Sequence, residues 1–533
     1  MKIPKVKFAP GVFKGQNQVY FTPGYLAHDV EDKIGKHYDP EQSVALKCHM
    51  HTSLLRRKQI PVKISNEVVY EGACLPCPDT RDPYNSWFGS NLRFGKLCPR
   101  VHPHVMRRLR EFVRLLVHRN FRPIPCTYQF SFWDWVRKTS YNTSEIVDFL
   151  RVSDQYLGEK SWRTYDATKL EEFYPIVTFE WIFKDKNLLR HYKMHMKAED
   201  YEKYKVPRLI NASHLAYRAW FGMRVKAMED QFYEHIIDNK VSCVKHVPVR
   251  DRAQYVDQFL KGHYDHVVGT DHTAFEAHFT PQILKSVECQ LYSHLLRNFR
   301  GDFGKIRDLL VGQHFCESRL SSITVPGVRM TGECCTSLGN TFTNLVVMMF
   351  VFHEKHIQHY KGLVEGDDGL FVFDGPMITL DEFIDVGFEL KLEEFKDVFE
   401  ASFCGIRCSG QTKHNLIDPV EKILKVGWSF SKLASISDSY RQSLLKAKAY
   451  SLFWEAPFSP VTSVLARKII QLTTNVNELR LDDWWDNYIL MNLPDYQSVS
   501  CDIPMCDRVC YEQYYGVSVA MQLSFEHWVN SWT

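Results

Sequence analysis

At 533 residues, with 45% hydrophobic and 14% aromatic side chains, the chain is long enough to bury a large core and is expected to hold two or three subdomains. Its 66 basic and 63 acidic residues leave a net charge of +3, which excludes a globally basic coat and leaves any affinity for polyanions to local patches. The 15 cysteines form no dense framework and no signal peptide is recognisable, which points to reduced thiols in a cytosolic setting; no apolar run is long enough to cross a membrane as a helix.

Through residue 190, basic proline-containing segments alternate with apolar ones. Residues 104–120 read as an amphipathic helix with Arg107, Arg108, Arg110, Arg114 and Arg119 on its polar side, an arrangement that ordinarily marks a solvated face. Cys74 and Cys77, followed by Cys98 and His102, have a spacing that zinc can use. Pro76, Pro78 and Pro99 make this a loop region where thiols are commonly just buried, so zinc is not expected. Between Tyr192 and His235, Lys193, Lys197, Lys203, Lys205, Arg208, Arg218, Arg224 and Lys226 are interleaved with aromatics, cations suited to wrapping a polyphosphate. A second basic group, Lys245, His246, Arg250 and Arg252, follows.

His266 to Gly269 is a buried-strand pattern that delivers Asp271 to the strand's end, where loops carry function. Glu276 adds a carboxylate, and Thr280-Pro281 supplies an N-cap and N1 pair for a helix through about Leu296. The stretch from Val328 to Phe352 is a loop feeding a long helix, in which Thr336, Asn340 and Asn344 line one face and need partners; Gly332 before it permits close approach of a ligand. Lys361 to Glu365 and Leu370 to Asp374 read as strands joined by Gly366-Asp367-Asp368-Gly369, a hairpin with two carboxylates at its tip. Adjacent like charges favour a divalent cation between them. Thr379 to Phe388 then reads as a helix, Glu389 to Glu393 as a strand, Phe403-Cys404-Gly405 as a turn, and the chain from Asp418 as mostly helical.

In order and spacing, TDHTAFE from Thr270, TGECCTSLGN from Thr331, EGDDG from Glu365, GFELKLEE from Gly387 and FCG from Phe403 resemble palm motifs A to E of viral RNA-dependent RNA polymerases. The resemblance is to enzymes of positive-strand RNA viruses of the tombusvirus and nodavirus kind, where KAE from Lys197 and PRLI from Pro207 look like the fingers motif F. It covers roughly Lys193 to Cys408, with weaker similarity around Tyr515-Gly516 and Gln522.

The resemblance implies an α+β right-hand polymerase fold: fingers, a palm with an antiparallel sheet, and a helical thumb. The expected divisions are 1–190 for an N-terminal extension and part of the fingers, 191–262 for fingers with the basic nucleotide-entry motif, and 263–300 for the palm with motif A. A connection over 301–327, palm over 328–415 and thumb over 416–533 follow. It further implies template-directed RNA synthesis from nucleoside triphosphates with two magnesium ions, manganese being able to substitute. Asp271 and Asp367 would hold the metals with Asp368 in support, and Lys391 matches the motif D lysine, a general acid for pyrophosphate. Arg208, Lys197 and Lys205 would lie along the triphosphate; Thr336, Asn340 and Glu276 would meet the ribose; Gly332, Arg218, Lys245, Arg250 and Arg252 would meet RNA. The family usually has Asp where this chain has Glu276, and serine where it has Thr331. Expected partners are the RNA template and nascent strand, other viral replication proteins and, through them, host membranes in the cytoplasm. A reverse transcriptase would carry a bulky aromatic in place of Glu276 and Tyr in place of Glu365; an inactive RNA-binding scaffold would not need all three aspartates.

Overall fold

The computed structural model describes residues 18–21, 46–50, 99, 101–139, 146–147, 149–150, 167–197, 208–318, 321–426, 437–474, 497, 499–500 and 502–532. The chain divides into two compact units. The first comprises Met1–Asn239, Thr270–Gln358 and Pro376–Leu392; the second comprises Lys240–Gly269, His359–Gly375 and Glu393–Thr533. Helices and strands alternate through both, an α+β architecture.

The first unit holds a six-stranded sheet, in the order β1-β2-β8-β7-β3-β4, formed by β1 (Gln18–Phe21), β2 (Leu46–Met50), β3 (His191–Met196), β4 (Leu209–Ser213), β7 (His314–Glu317) and β8 (Ser321–Val325). β3 and β4 are antiparallel, with Tyr192 opposite Ser213 and Met196 opposite Leu209, and β4 alternates buried and half-buried residues as one face packs inward. The helix Thr336–Glu354 is buried on nearly every side, from Leu338 to Phe352 without a break. Its expected polar face is therefore interior, and Asn340, Thr341, Thr343 and Asn344 have to find partners inside the protein. The helix Pro103–Asn120 meets its amphipathic expectation: Leu109, Val113, Leu116 and Val117 are buried while all five arginines are exposed, three of them pairing with Glu354, Glu111 and Asp238. The helix foreseen from Thr280 to Leu296 begins as expected, with the Thr280 hydroxyl accepting from Ile283 N and Pro281 at N1. It breaks at Val287 (φ −111°, ψ −81°) into Pro281–Ser286 and Glu288–Leu295.

The second unit holds most of a five-stranded sheet, in the order β11-β6-β10-β9-β5, formed by β5 (Val241–Cys243), β6 (His266–His272), β9 (Tyr360–Glu365), β10 (Asp368–Phe373) and β11 (Leu390–Phe395); residues 270–272 of β6 and 390–392 of β11 are counted with the first unit. Val244, Val256, Leu260, Val267, Leu363, Leu370, Val372 and Phe403 form its core beside the sheet. A small pair, β12 (Ile406–Cys408) and β13 (Asn415–Ile417), leads into helices Pro419–Val426, Asp438–Glu455, Thr462–Leu472, Met505–Tyr515 and Val519–Asn530. Phe453, Leu465, Ile469, Ile470 and Val529 close a second core among these helices. No helix among the described residues is long and apolar enough to cross a membrane.

Candidate active site

In the first unit, Asp271 lies near the end of β6 with its side chain 61% exposed, and Lys391 Nζ stands 3.5 Å from its Oδ2. Two neighbours hold this strand end in place. His272, fully buried, meets Asn344 Oδ1 through Nε2 at 3.2 Å, so Nε2 carries the proton; burial drives the ring pKa down from 6.5 to about 4 and it stays neutral. Thr273 N donates to Glu389 O at 3.0 Å, joining this end to the segment that carries Lys391. The next residue, Ala274, is left-handed (φ +52°), an uncommon conformation for a residue with a β-carbon, and it opens the 3-10 turn Phe275–His278 on which Glu276 is half-buried. His278 braces the turn: its Nδ1 faces Ala274 O at 3.3 Å, and Glu389 N donates to its Nε2 at 3.3 Å.

The loop before the long helix is stitched to the β3–β4 hairpin. Thr331 Oγ1 donates to Leu209 O (2.8 Å) and accepts from Asn211 N (3.2 Å), and Gly332 N donates to Asn211 O (3.2 Å). A β-carbon on Gly332 would lie 2.6 Å from that same carbonyl, so only glycine permits the approach. Thr336 Oγ1 donates back to Met330 O at 3.0 Å. Lys197 N donates to Arg208 O at 2.9 Å, setting these two cations opposite each other at the end of the hairpin; Arg208 is exposed, and Arg218 is half-buried on the helix Leu215–Phe232.

Beneath the loop lies a buried ionic cluster that no sequence pattern announces. Arg329, with no exposed side-chain surface, donates through Nη2 to Glu288 Oε2 and through Nε to Asn340 Oδ1 at 3.1 Å; Glu333 Oε2 is 3.7 Å from Nη1 and accepts through Oε1 from the Tyr192 hydroxyl at 2.6 Å. Burial works hardest against the guanidinium charge, but Glu288 together with Cys335, Tyr292 and Glu333 outweighs it, and the pKa stands well above the ordinary value. Burial pushes Glu333 up from 4.5 to about 7, although Arg329 and Tyr192 pull the other way. A buried arginine is legible in a sequence only through its neighbours, and Arg329 sits among apolar residues that supply no such signal.

In the second unit the hairpin turn is tighter than its four-residue signature. Glu365 pairs directly with Asp368, so the loop is Gly366-Asp367 alone; Gly366 has φ +61° and Asp367 is not left-handed, the sign pattern of a type II′ turn. Asp367 is exposed at the tip and Asp368 is the first residue of β10. Glu365 accepts from Arg252 Nη1 at 2.7 Å, lies 3.6 Å from Lys245 Nζ, and receives the Cys404 thiol at 3.5 Å. Cys404 and Gly405 are both left-handed (φ +54° and +74°) between Phe403 and Ile406, whose backbones pair, and so the expected turn is present. Arg252 is a half-buried ion-pair partner of Glu365, whereas Arg250 is exposed, 5.9 Å from the Trp454 ring and 3.5 Å from Asp251.

Lys205, Cys74, Cys77 and Cys98 lie outside the described residues. His102 caps the helix Pro103–Asn120, its Nδ1 accepting from His104 N at 3.2 Å. Among the described residues, no group of three or more His, Cys, Asp or Glu side chains is gathered as a metal site.

Residues 159–417 match the family model described as viral RNA-dependent RNA polymerase. That span contains Asp271, the loop and helix bearing Asn340, the hairpin and Lys391, and the match places this stretch of the chain in that family. It is a viral RNA-directed RNA polymerase, a nucleotidyltransferase. No curated protein matches the chain.

Proposed function

We propose that Asp271, Asp367 and Asp368 hold two magnesium ions at the polymerising centre, in a right-hand arrangement of fingers, palm and thumb. Their hard carboxylate oxygens suit magnesium, which needs few protein ligands because water and substrate phosphates complete its shell. When bound, the two cations acidify the primer 3′-hydroxyl and neutralise the triphosphate; manganese would serve in their place. Lys391 would give its proton to the departing pyrophosphate, and its place 3.5 Å from Asp271 supports that role. Lys197, Lys205 and Arg208 would neutralise the incoming triphosphate, and Glu276, Thr336 and Asn340 would read the ribose. Gly332, Arg218, Lys245, Arg250 and Arg252 would line the path of RNA, Lys245 and Arg252 with their charge shared by Glu365. The enzyme would work in the host cytoplasm with other viral replication proteins, on membranes reached through them.

Two separate observations support the metal assignment, an exposed Asp271 at a strand end and an exposed Asp367 at the tip of a two-residue turn, both within the family stretch. Primer extension with purified Asp367→Ala tests it. Synthesis is expected to vanish while RNA binding stays within about twofold of wild type; equal activity would end the catalytic assignment. Supplying ribo- and deoxyribonucleotides side by side separates it from a reverse transcriptase, which would use the latter.

A further inference from the structure

We propose that Arg329 is the positioning residue for Asn340 and, through it, a determinant of sugar selection that touches neither sugar nor metal. This rests on the reading of Asn340 as a ribose contact. A carboxamide can present either its oxygen or its NH2 group to a ligand, and the two look alike in shape. Here Arg329 Nε donates to Asn340 Oδ1 at 3.1 Å; turning the amide over would set its NH2 against an N–H donor and lose the bond. The amide oxygen is thereby committed inward, and Nδ2 is the group left to meet the ribose, as a donor to the 2′-oxygen.

Arg329 can impose that choice because it is itself immobile. Glu288 accepts from Nη2, the Cys335 sulfur is 3.2 Å from Nη1, and the guanidinium carbon lies 4.6 Å from the centre of the Phe279 ring. Both charged partners are completely buried, where an ion pair is held by geometry rather than by solvent. Gly339, immediately before Asn340, makes the room: a β-carbon there would lie 2.3 Å from Arg329 Nη2 and 2.7 Å from the Glu288 carboxylate. A deoxynucleotide offers no 2′-oxygen to the NH2 group so fixed, and that donor is left unanswered.

The test is the ratio of kcat/KM for a ribonucleotide to that for its deoxy counterpart on one template, in wild type, Asn340→Asp, Arg329→Lys, Glu288→Gln and the Arg329→Lys/Asn340→Asp double variant. Asn340→Asp keeps an acceptor for Arg329 and removes the NH2 donor. It is expected to lower the ratio about tenfold or more. Arg329→Lys moves the donor that orients the amide and should lower the ratio by a similar factor, mostly through a raised KM for the ribonucleotide, and Glu288→Gln by a smaller one. The double variant should be no worse than Asn340→Asp alone, as expected for groups acting through one contact. A merely structural role would slow both nucleotides alike and leave the ratio unmoved. If Asn340→Asp leaves the ratio unchanged, the sugar-reading role of Asn340 fails. If it lowers the ratio while Arg329→Lys and Glu288→Gln do not, positioning by Arg329 is overturned; should Arg329→Lys not fold, Glu288→Gln alone decides.

Discussion

The Asn340 amide shows how a single side chain depends on charges that never reach the surface. Glu288→Ala would leave the Arg329 guanidinium buried without its closest counter-charge, and uncompensated buried charges cost about 3–5 kcal/mol. Chemical denaturation of the variant should show a loss of that order, and one below about 1 kcal/mol would mean that Glu333 takes over the pairing. His272, beside Asp271, makes the second prediction. Its pKa falls from 6.5 to about 4 on folding, so below 6.5 the unfolded chain takes up a proton that the folded one refuses. The stability from its neutral burial is complete above pH 6.5 and is lost as pH falls towards 4, roughly 3 kcal/mol in all. Glu333 runs in the opposite sense: with a folded pKa near 7 against 4.5, its contribution is full below pH 4.5 and fades as pH rises through 7. The two partly cancel in the wild-type profile, so the measurement is the stability gap between wild type and His272→Gln at pH 7 and at pH 4. The gap should shift in the variant's favour on acidification, and a constant gap would count against a neutral buried ring.

Among the elements, the β9–β10 hairpin carries the proposed metal ligands Asp367 and Asp368. Its register sets Glu365 opposite Asp368 and leaves Gly366 to turn the chain at φ +61°. A β-carbon on Gly366 would meet nothing within 4 Å, so a substitution there is penalised by backbone conformation alone. Gly366→Ala should destabilise by about 1 kcal/mol and Gly366→Asn by less, because asparagine tolerates the left-handed region better. Equal losses in thermal unfolding would mean that crowding, not conformation, is responsible. The strand end bearing Asp271 is built differently, held by His272 and Asn344, by Thr273 and Glu389, and by His278 across the left-handed Ala274. Lys391 arrives on the partner segment and is itself exposed, so its 3.5 Å pair with Asp271 is worth little to stability and its removal should register in turnover alone.

For the molecule as a whole, the family match over 159–417 assigns the activity, and the proposed magnesium chemistry makes a global prediction. Chelating divalent cations with EDTA should stop synthesis while the midpoint of thermal unfolding moves by no more than about 2 °C, because a catalytic metal held by few protein ligands adds little to folding. Restoring magnesium or manganese should restore synthesis. A large fall in the midpoint would instead reveal a structural metal, with Cys74, Cys77, Cys98 and His102 the residues to examine first.

The order of short motifs along the chain determined the family, the activity and the identity of the candidate groups, because Asp271, the Gly366-Asp367 turn, Asn340 and Lys391 each sit where local pattern announces an element's end or face. Strand and helix periodicity placed β6, the hairpin and the long helix close to where they lie, for the same local reason. Only tertiary structure decided that the long helix is buried all round, that the turn has two residues and not four, that Lys391 stands beside Asp271, and that Arg329, Glu288, Glu333 and Tyr192 gather beneath Asn340. The Arg329–Glu288, Tyr192–Glu333 and Lys391–Asp271 pairs join residues tens to more than a hundred positions apart, and burial of a charge becomes favourable only once its partner has been brought to it, which no local pattern records.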